Sequence, residues 1–185
     1  MIVKGKRGMT FPGFTNPLVE RIAAFLGEIG LEVRQGTVAG KTFLPGIDVK
    51  DGALIVDEAR LAYPGDLLHE AGHFAVATPK RRLAMDGNVA ASDAQTAASE
   101  EMMAIAWSYA AALHLGIEPE IVFHPDGYRG DSASLLENFA QGRYFGVPML
   151  QYLGMACESK NAKARGVEPY PHMLCWVRAT APATG

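Results

Sequence analysis

Cysteine is scarce in this sequence: Cys157 and Cys175 are the only two. Two cysteines are too few for a disulfide framework, and their spacing matches no zinc-binding pattern, so we expect packed thiols in a reducing compartment. Long apolar runs are also missing. No stretch reaches the roughly 18 apolar residues of a transmembrane helix, and no apolar segment follows the basic N-terminal residues as it would in a signal peptide. These absences predict a cytoplasmic protein without a membrane span.

A large excess of charge of one sign is also absent. The net charge is -3, and charged residues make up 20% of the chain against 49% hydrophobic residues. This composition is typical of a globular protein, and it predicts neither a nucleic acid nor a membrane surface as partner. With 185 residues, the chain is long enough to bury its own core. We therefore predict a single domain spanning residues 1–185.

The first part of the chain predicts one helix followed by short strands. Asn16-Pro17 has the form of a helix start, and Gly30 is a natural stop for the apolar helical pattern between them. Leu31 to Val38 reads as a strand, and Phe43-Leu44 as part of a second one. Asp51-Gly52 between two apolar segments, Ile47 to Val49 and Ala53 to Val56, predicts a hairpin.

The rest of the chain is mostly helical by pattern. The predicted helices run from Pro64 to a stop at Pro79, from about Asp93 to Leu115, from a cap at Asp131 or Ser132 through Phe139, and from Pro148 through Leu153 and Ala156. The fold class predicted is α+β, with a small N-terminal antiparallel sheet packed on a mostly helical body.

The predicted helix from Pro64 to Pro79 carries His69-Glu70-Ala71-Gly72-His73. Residues four apart share one helix face, so His69 and His73 can both reach one zinc ion at about 2.0–2.1 Å. Glu70 lies beside them and can act as general base toward a water that the metal activates. Gly72 costs about 1 kcal/mol of helix propensity relative to Ala, which predicts close backbone packing near this site.

A catalytic zinc site needs a third protein ligand and one open position. No histidine follows His73 closely, so a carboxylate from another helix is the better candidate. Glu100 and Glu101 open an apolar stretch of the long helix, where a buried acid without a partner would be unfavourable. Spacing alone leaves both as candidates.

These motifs resemble the gluzincin group of zinc peptidases, and most closely the ImmA/IrrE family of bacterial metallopeptidases. The resemblance rests on Leu68 to His73 and on a later helical Glu with a small residue three positions on and an aromatic residue six positions on. Glu101 fits that pattern with Ala104 and Trp107. The family's usual Asn, four residues after the ligand, is replaced by Ile105. The resemblance implies a zincin-like core, Glu101 as third ligand, and a cytoplasmic endopeptidase acting on a protein substrate.

Further candidates lie in the turn-rich segment after the apolar, strand-like Ile121 to Phe123. A His or Tyr often stabilises the oxyanion in zinc peptidases, so His124 or Tyr128 is a candidate for that role; a plain connecting loop with a solvated His is the alternative. Tyr109 is predicted to be a core residue. The basic run Lys80 to Arg82 is expected to be solvated beside a helix C-terminus.

Three functions remain open from the sequence. The first is a zinc peptidase that binds an extended peptide or protein substrate along the edge of the hairpin between Ile47 and Val56. The second is a zinc hydrolase of a small, non-peptide amide. The third is a non-catalytic protein with a structural metal, which would normally be closed by four protein ligands. The sequence leaves the oligomeric state undetermined.

Overall fold

A computed structural model describes residues 13–40, 42, 44–87 and 94–179. The described residues form an α+β fold, as the sequence predicts. Its helices are α1 (Pro17–Glu28), α2 (Asp66–Val76), α3 (Pro79–Leu83), α4 (Ala94–Leu115), α5 (Pro119–Val122), α6 (Ser132–Ala140), α7 (Val147–Tyr152) and α8 (Ser159–Arg165). Its strands are β1 (Val33–Gln35), β2 (Ile47–Lys50) and β3 (Ala53–Val56), and a 3₁₀ turn spans Tyr128–Gly130.

The sheet has the order β1-β3-β2 and is mixed, so the predicted antiparallel sheet is only half right. β2 and β3 form the predicted antiparallel hairpin, with Asp51 and Gly52 at positive φ in the turn. β1 instead pairs with β3 in parallel. The cause is the connection after β1, which crosses to the far side of β3. The backbone N–H of Val38 in this connection donates a hydrogen bond to the Asp57 carboxylate, which holds the connection in place.

The start of α1 follows the sequence signals. The Asn16 side chain accepts hydrogen bonds from the N–H groups of Leu18 and Val19, which the first turn of a helix leaves without partners. Just before α1, the backbone N–H of Thr15 donates a hydrogen bond to the Glu58 carboxylate, with 3.0 Å between nitrogen and oxygen. This contact ties α1 to the segment that follows β3.

Helix α2 lies at the centre of the molecule. Each of its residues from Asp66 to Val76 is buried, and the helix packs against α1, α4 and α5. Gly72 explains the closest of these contacts. A Cβ at that position would lie 2.9 Å from the Ala104 carbonyl oxygen, so the backbones of α2 and α4 approach more closely than any side chain would permit.

Three secondary-structure predictions are wrong, and each has a local cause. The strand predicted over Leu31 to Val38 is reduced to Val33–Gln35, where pairing with β3 ends. Ile121 and Val122 are helical rather than extended, because Pro119 starts α5. The last predicted helix, α7, ends at Tyr152, so Leu153 and Ala156 lie beyond it.

Other predictions differ in smaller ways or fall outside the description. Pro79 follows the end of α2 and also begins α3, capped by the Thr78 side chain. Helix α8 was not predicted. Leu44 lies in no strand, and Phe43 and the predicted cap around Asp93 lie outside the described residues. Within the described ranges, no helix combines the length and apolarity needed to cross a membrane.

Candidate metal centre

Three side chains from α2 and α4 meet at one point. His69 Nε2 lies 3.4 Å from His73 Nε2. The Glu101 carboxylate faces both rings, with Oε1 3.6 Å from His69 Nε2 and Oε2 3.3 Å from His73 Nε2. In the part of the chain that the structure describes, this is the one group of three or more His, Cys, Asp or Glu residues arranged to hold a metal ion.

The packing of α2 on α4 explains why Glu101 rather than Glu100 faces the histidines. Ala104 contacts Gly72, and Glu101 lies one turn before Ala104 on the same face of α4. Glu100 is turned by about 100° from Glu101, and its carboxylate pairs with Arg81 on α3. The two adjacent acids therefore have different partners.

The spacing of the three ligand atoms fits a zinc ion. Ligands bound tetrahedrally at about 2.0–2.1 Å lie about 3.3 Å from one another, and the three measured separations run from 3.3 to 3.6 Å. Two imidazoles and one carboxylate also form a donor set that zinc accepts in catalytic sites. The Nδ1 atoms of His69 and His73 are buried and have no partner among the described residues.

The charges at the site are coupled. Burial, reinforced by the nearby His73, lowers the pKa of His69 to about 4, which keeps its imidazole neutral and able to bind a metal. Burial opposes the charged form of His73 as well, but the hydrogen bond and charge of Glu101, together with Glu70, raise its pKa. Burial opposes the charged form of Glu101, but the same hydrogen bond together with the charges of His69, His73 and Arg129 outweighs it and lowers the pKa. Glu101 is therefore the carboxylate that stays ionised.

Glu70 stands beside the three ligands without joining them. Its side chain is buried in the middle of α2, and burial is the main cause that raises its pKa. The charges of Glu101 and Asp66 raise this pKa further, whereas His73 lowers it. A buried carboxylate with a raised pKa has the properties of a general base working near neutral pH.

Tyr128 contacts the cluster through the ring of His69. Its ring meets the His69 ring edge-on, with ring centroids 5.3 Å apart and planes at 82°. Its hydroxyl is buried and has no hydrogen-bond partner among the described residues. Burial, with the charges of Asp66, Glu101 and Glu70, raises the pKa of Tyr128, so the phenol stays protonated and able to donate. The structure thus brings this predicted site residue to the cluster.

His124 has a different environment from the one predicted. Its Nε2 lies 2.9 Å from Asp66 Oδ1, and its ring is stacked on Tyr63 at 3.7 Å between centroids. The ring is buried, so the alternative of a solvated histidine is wrong. One of its two ring nitrogens, Nε2, is therefore already bonded to Asp66.

Two residues in and beside the site are not recognised from the sequence. Asp66 is not among the predicted site residues, yet it is buried, and burial raises the pKa of its carboxyl. An acid directly before the buried Leu67 and Leu68 is the signal that could have identified it. Arg82 was expected to be solvated, yet its guanidinium donates to the carbonyl oxygens of Phe74 and Ala77 at the end of α2.

The edge of the hairpin is less open than predicted for a peptide-binding strand. β3 lies between β1 and β2, so β2 is the strand of the hairpin that lies at an edge of the described sheet. The Val49 carbonyl accepts from the Gly87 N–H at 2.8 Å, and the Val49 N–H donates to the Asp48 carboxylate. The Ile47 N–H donates to the Leu44 carbonyl. These contacts occupy groups that strand addition would require.

No protein-family model, curated protein or solved structure matches this chain. The resemblance to the ImmA/IrrE metallopeptidases therefore stays a prediction based on the motifs.

Proposed function

We propose that this protein is a zinc-dependent hydrolase of peptide bonds, with Glu70 as its general base. The observation that carries the proposal is the convergence of His69, His73 and Glu101 ligand atoms beside the buried carboxylate of Glu70. A reducing, cytoplasmic location remains a prediction from the sequence.

Each residue has a defined task in this proposal. His69, His73 and Glu101 would hold the zinc ion, which supplies Lewis acidity toward water and the scissile carbonyl. Glu70 removes a proton from the attacking water while the water oxygen bonds to the carbonyl carbon. Glu70 then delivers that proton to the leaving amine as the C–N bond breaks. Tyr128 donates its hydroxyl proton in a hydrogen bond to the carbonyl oxygen while negative charge develops there.

The ligand count and the position of Glu70 favour catalysis over a purely structural metal. Structural zinc sites are closed by four protein ligands, and the described residues supply three at this point. A structural site also has no use for a buried carboxylate beside its first ligand, and burying one without need is unfavourable.

A second candidate function keeps the same chemistry but takes a small amide as substrate. It is favoured by the contacts of Gly87 and Leu44 with β2 and by the Asp48 carboxylate on the Val49 N–H, which leave little free edge for an extended peptide. Both candidates use the same residues and differ only in what binds beside them.

The experiment is hydrolysis by the zinc-loaded protein of two substrate sets: a mixture of unstructured peptides and a panel of N-acetyl amino-acid amides. We expect cleavage of the peptides and its loss in Glu70→Gln with zinc content unchanged. Glu168→Gln, which alters an exposed acid, is the matched control and should retain full activity.

The outcomes separate the candidates. Cleavage of the amides alone would replace the peptidase with the second candidate. If the protein binds zinc but hydrolyses neither substrate set, and if Glu70→Gln behaves as wild type, both candidate functions would be contradicted. A structural metal would then be favoured.

A further inference from the structure

We propose that Tyr63, Asp66 and His124 form a clamp that holds the turn carrying Tyr128, so that the phenol lies against His69 before substrate binds. This inference rests on the proposed function, because it assigns the three residues a positioning role toward the group that faces the metal ligands. The clamp contacts the turn, and Tyr128 contacts the site.

The first contact of the clamp is the pair of Asp66 and His124. Both side chains are buried, and His124 Nε2 lies 2.9 Å from Asp66 Oδ1. A carboxylate accepts only, so the imidazole donates this hydrogen bond. Asp66 lies one turn before His69 and Glu70 on α2, so the bond fixes the start of the turn to the helix that carries the ligands.

The second contact is made by Tyr63. Its ring is stacked on the His124 ring, with centroids 3.7 Å apart and planes at 9°. Its hydroxyl bonds the Asp126 carboxylate, two residues further along the turn. Tyr63 therefore holds the turn at two places, once through the ring and once through the hydroxyl.

The turn itself fits closely around His124. The Ser132 hydroxyl donates to the His124 carbonyl oxygen at 2.6 Å, which ties the start of α6 to the same residue. A Cβ on Gly127 would lie 3.2 Å from His124 Cε1, so a larger residue there would press on the imidazole. The imidazole is thus enclosed by Asp66, Tyr63 and the turn.

The backbone of the turn shows why it needs to be held. Tyr128 and Arg129 have φ angles of 53° and 56°, and Gly130 follows at 90°. Two consecutive non-glycine residues in the left-handed region are unfavourable and persist only where surrounding contacts fix them. One of the two strained residues is Tyr128, whose ring contacts His69. Backbone strain of this kind is typical of functional sites.

The roles of His124 and Tyr128 then differ. His124 has its Nε2 bonded to Asp66 on α2 and its carbonyl oxygen bonded to Ser132, so its contacts hold the turn. The hydroxyl of Tyr128 is buried and has no hydrogen-bond partner among the described residues. His124 is a positioning residue, and Tyr128 is the group that it positions.

The test measures the turn directly by amide hydrogen exchange, in the zinc-loaded protein. Three backbone bonds report on it: Gly127 N–H to His124 O, Gly130 N–H to Gly127 O, and Asp131 N–H to Tyr128 O, each 3.0 Å. His124→Phe keeps an aromatic ring on Tyr63 but removes the bond to Asp66. Tyr63→Phe keeps the stack and removes only the bond to Asp126, so it is the variant least expected to disturb folding.

We expect exchange at these amides to accelerate by at least about tenfold in both variants, since their protection depends on local opening. We also expect zinc per chain to be unchanged and kcat to fall by up to about 10²-fold with KM within about twofold, because Tyr128 loses its orientation rather than its contact with substrate. Tyr128→Phe should lower kcat without changing the exchange rates, and adding His124→Phe to Tyr128→Phe should cause no further loss of kcat. His114→Phe, at the far end of α4, is the control and should leave the turn unchanged.

Wild-type exchange rates in either folded variant would overturn the clamp. Additive losses of kcat in the double variant would also overturn it, because His124 would then act independently of Tyr128. If the protein bound no zinc or hydrolysed nothing, the proposed function would fail, and the exchange measurement would still decide whether the clamp exists.

Discussion

Gly72 and Ala104 bring the two helices of the candidate metal centre together. A Cβ on Gly72 would lie 2.9 Å from the Ala104 carbonyl oxygen and 3.0 Å from its Cα. Glu101 lies one turn before Ala104, so the distance between these backbones also sets the distance from the Glu101 carboxylate to His69 and His73. Packing and metal binding thus depend on the same contact.

Gly72→Ala should therefore weaken both folding and zinc binding. Alanine favours a helix by about 1 kcal/mol over glycine, but overpacking against backbone costs about 1–3 kcal/mol, and the separation of α2 and α4 would move Glu101 away from the histidines. Thermal unfolding and zinc titration measure the two effects. Gly13→Ala, where an added Cβ meets nothing within 4 Å, is the control. Unchanged zinc affinity in Gly72→Ala would show that the contact does not set the site.

The position of Glu101 shows where sequence reasoning reached its limit. The spacing of His69 and His73 placed both on one helix face, and the structure has them there. The choice between Glu100 and Glu101 depends on which face of α4 contacts Gly72, which is a property of packing rather than of spacing. The resemblance favoured Glu101, and the small side chain of Ala104 gives a physical reason for its geometry.

Glu70→Gln should stabilise the metal-free protein. It should also abolish the activity of the zinc-loaded protein. Burial raises the pKa of Glu70 in the folded protein, whereas the unfolded value is about 4.3. The folded state then binds the proton more tightly, so stability falls as the pH rises above the unfolded pKa, and the loss is complete above the folded pKa. Glutamine carries no charge and avoids this loss.

The measurement is thermal unfolding of wild type and Glu70→Gln with excess chelator across a pH series. We expect the variant to unfold at a higher temperature at neutral pH, and the difference to disappear below about pH 4, where both side chains are neutral. Glu168→Gln, an exposed acid, should show no such difference. A less stable Glu70→Gln at neutral pH would mean that the carboxylate is stabilised by its surroundings.

Local signals predicted several elements well, and long-range pairings were not visible. Asn16 caps α1 and Asp51-Gly52 turns the hairpin, because each acts within a few residues. The parallel pairing of β1 with β3 depends on where the intervening chain crosses. The bond from His124 to Asp66 spans 58 residues, so the sequence offered no spacing from which to derive it.

Arg82→Lys should destabilise the end of α2 that carries His73. The guanidinium donates to the carbonyls of Phe74 at 2.7 Å and Ala77 at 2.9 Å, and to Arg178 at 3.2 Å. Lysine cannot reproduce this fork, and charged hydrogen bonds contribute about 1.5–3 kcal/mol each. We expect a loss of about 2 kcal/mol in the free energy of unfolding by denaturant. Lys80→Ala, at an exposed position, is the control, and equal losses in the two variants would refute the assignment.

Tyr128→Phe should slow hydrolysis without loss of metal. Removing a hydrogen-bond donor to a developing oxyanion costs about 10²–10³ in kcat, and the buried hydroxyl of Tyr128 has no structural partner among the described residues to lose. Steady-state kinetics and zinc content measure both effects, with Tyr144→Phe as the control. A wild-type kcat would remove Tyr128 from the mechanism and leave it as a packing residue beside His69.

The most direct test of the central claim is the zinc stoichiometry of wild type, Glu101→Gln and Glu100→Gln, measured on folded, purified protein. The two acids are adjacent on α4, yet Glu101 faces His69 and His73 while Glu100 pairs with Arg81. We predict one zinc per chain in wild type and in Glu100→Gln, and loss or strong weakening of binding in Glu101→Gln. Equal zinc binding by all three proteins, or no zinc in wild type, would contradict the metal centre on which the proposed function depends.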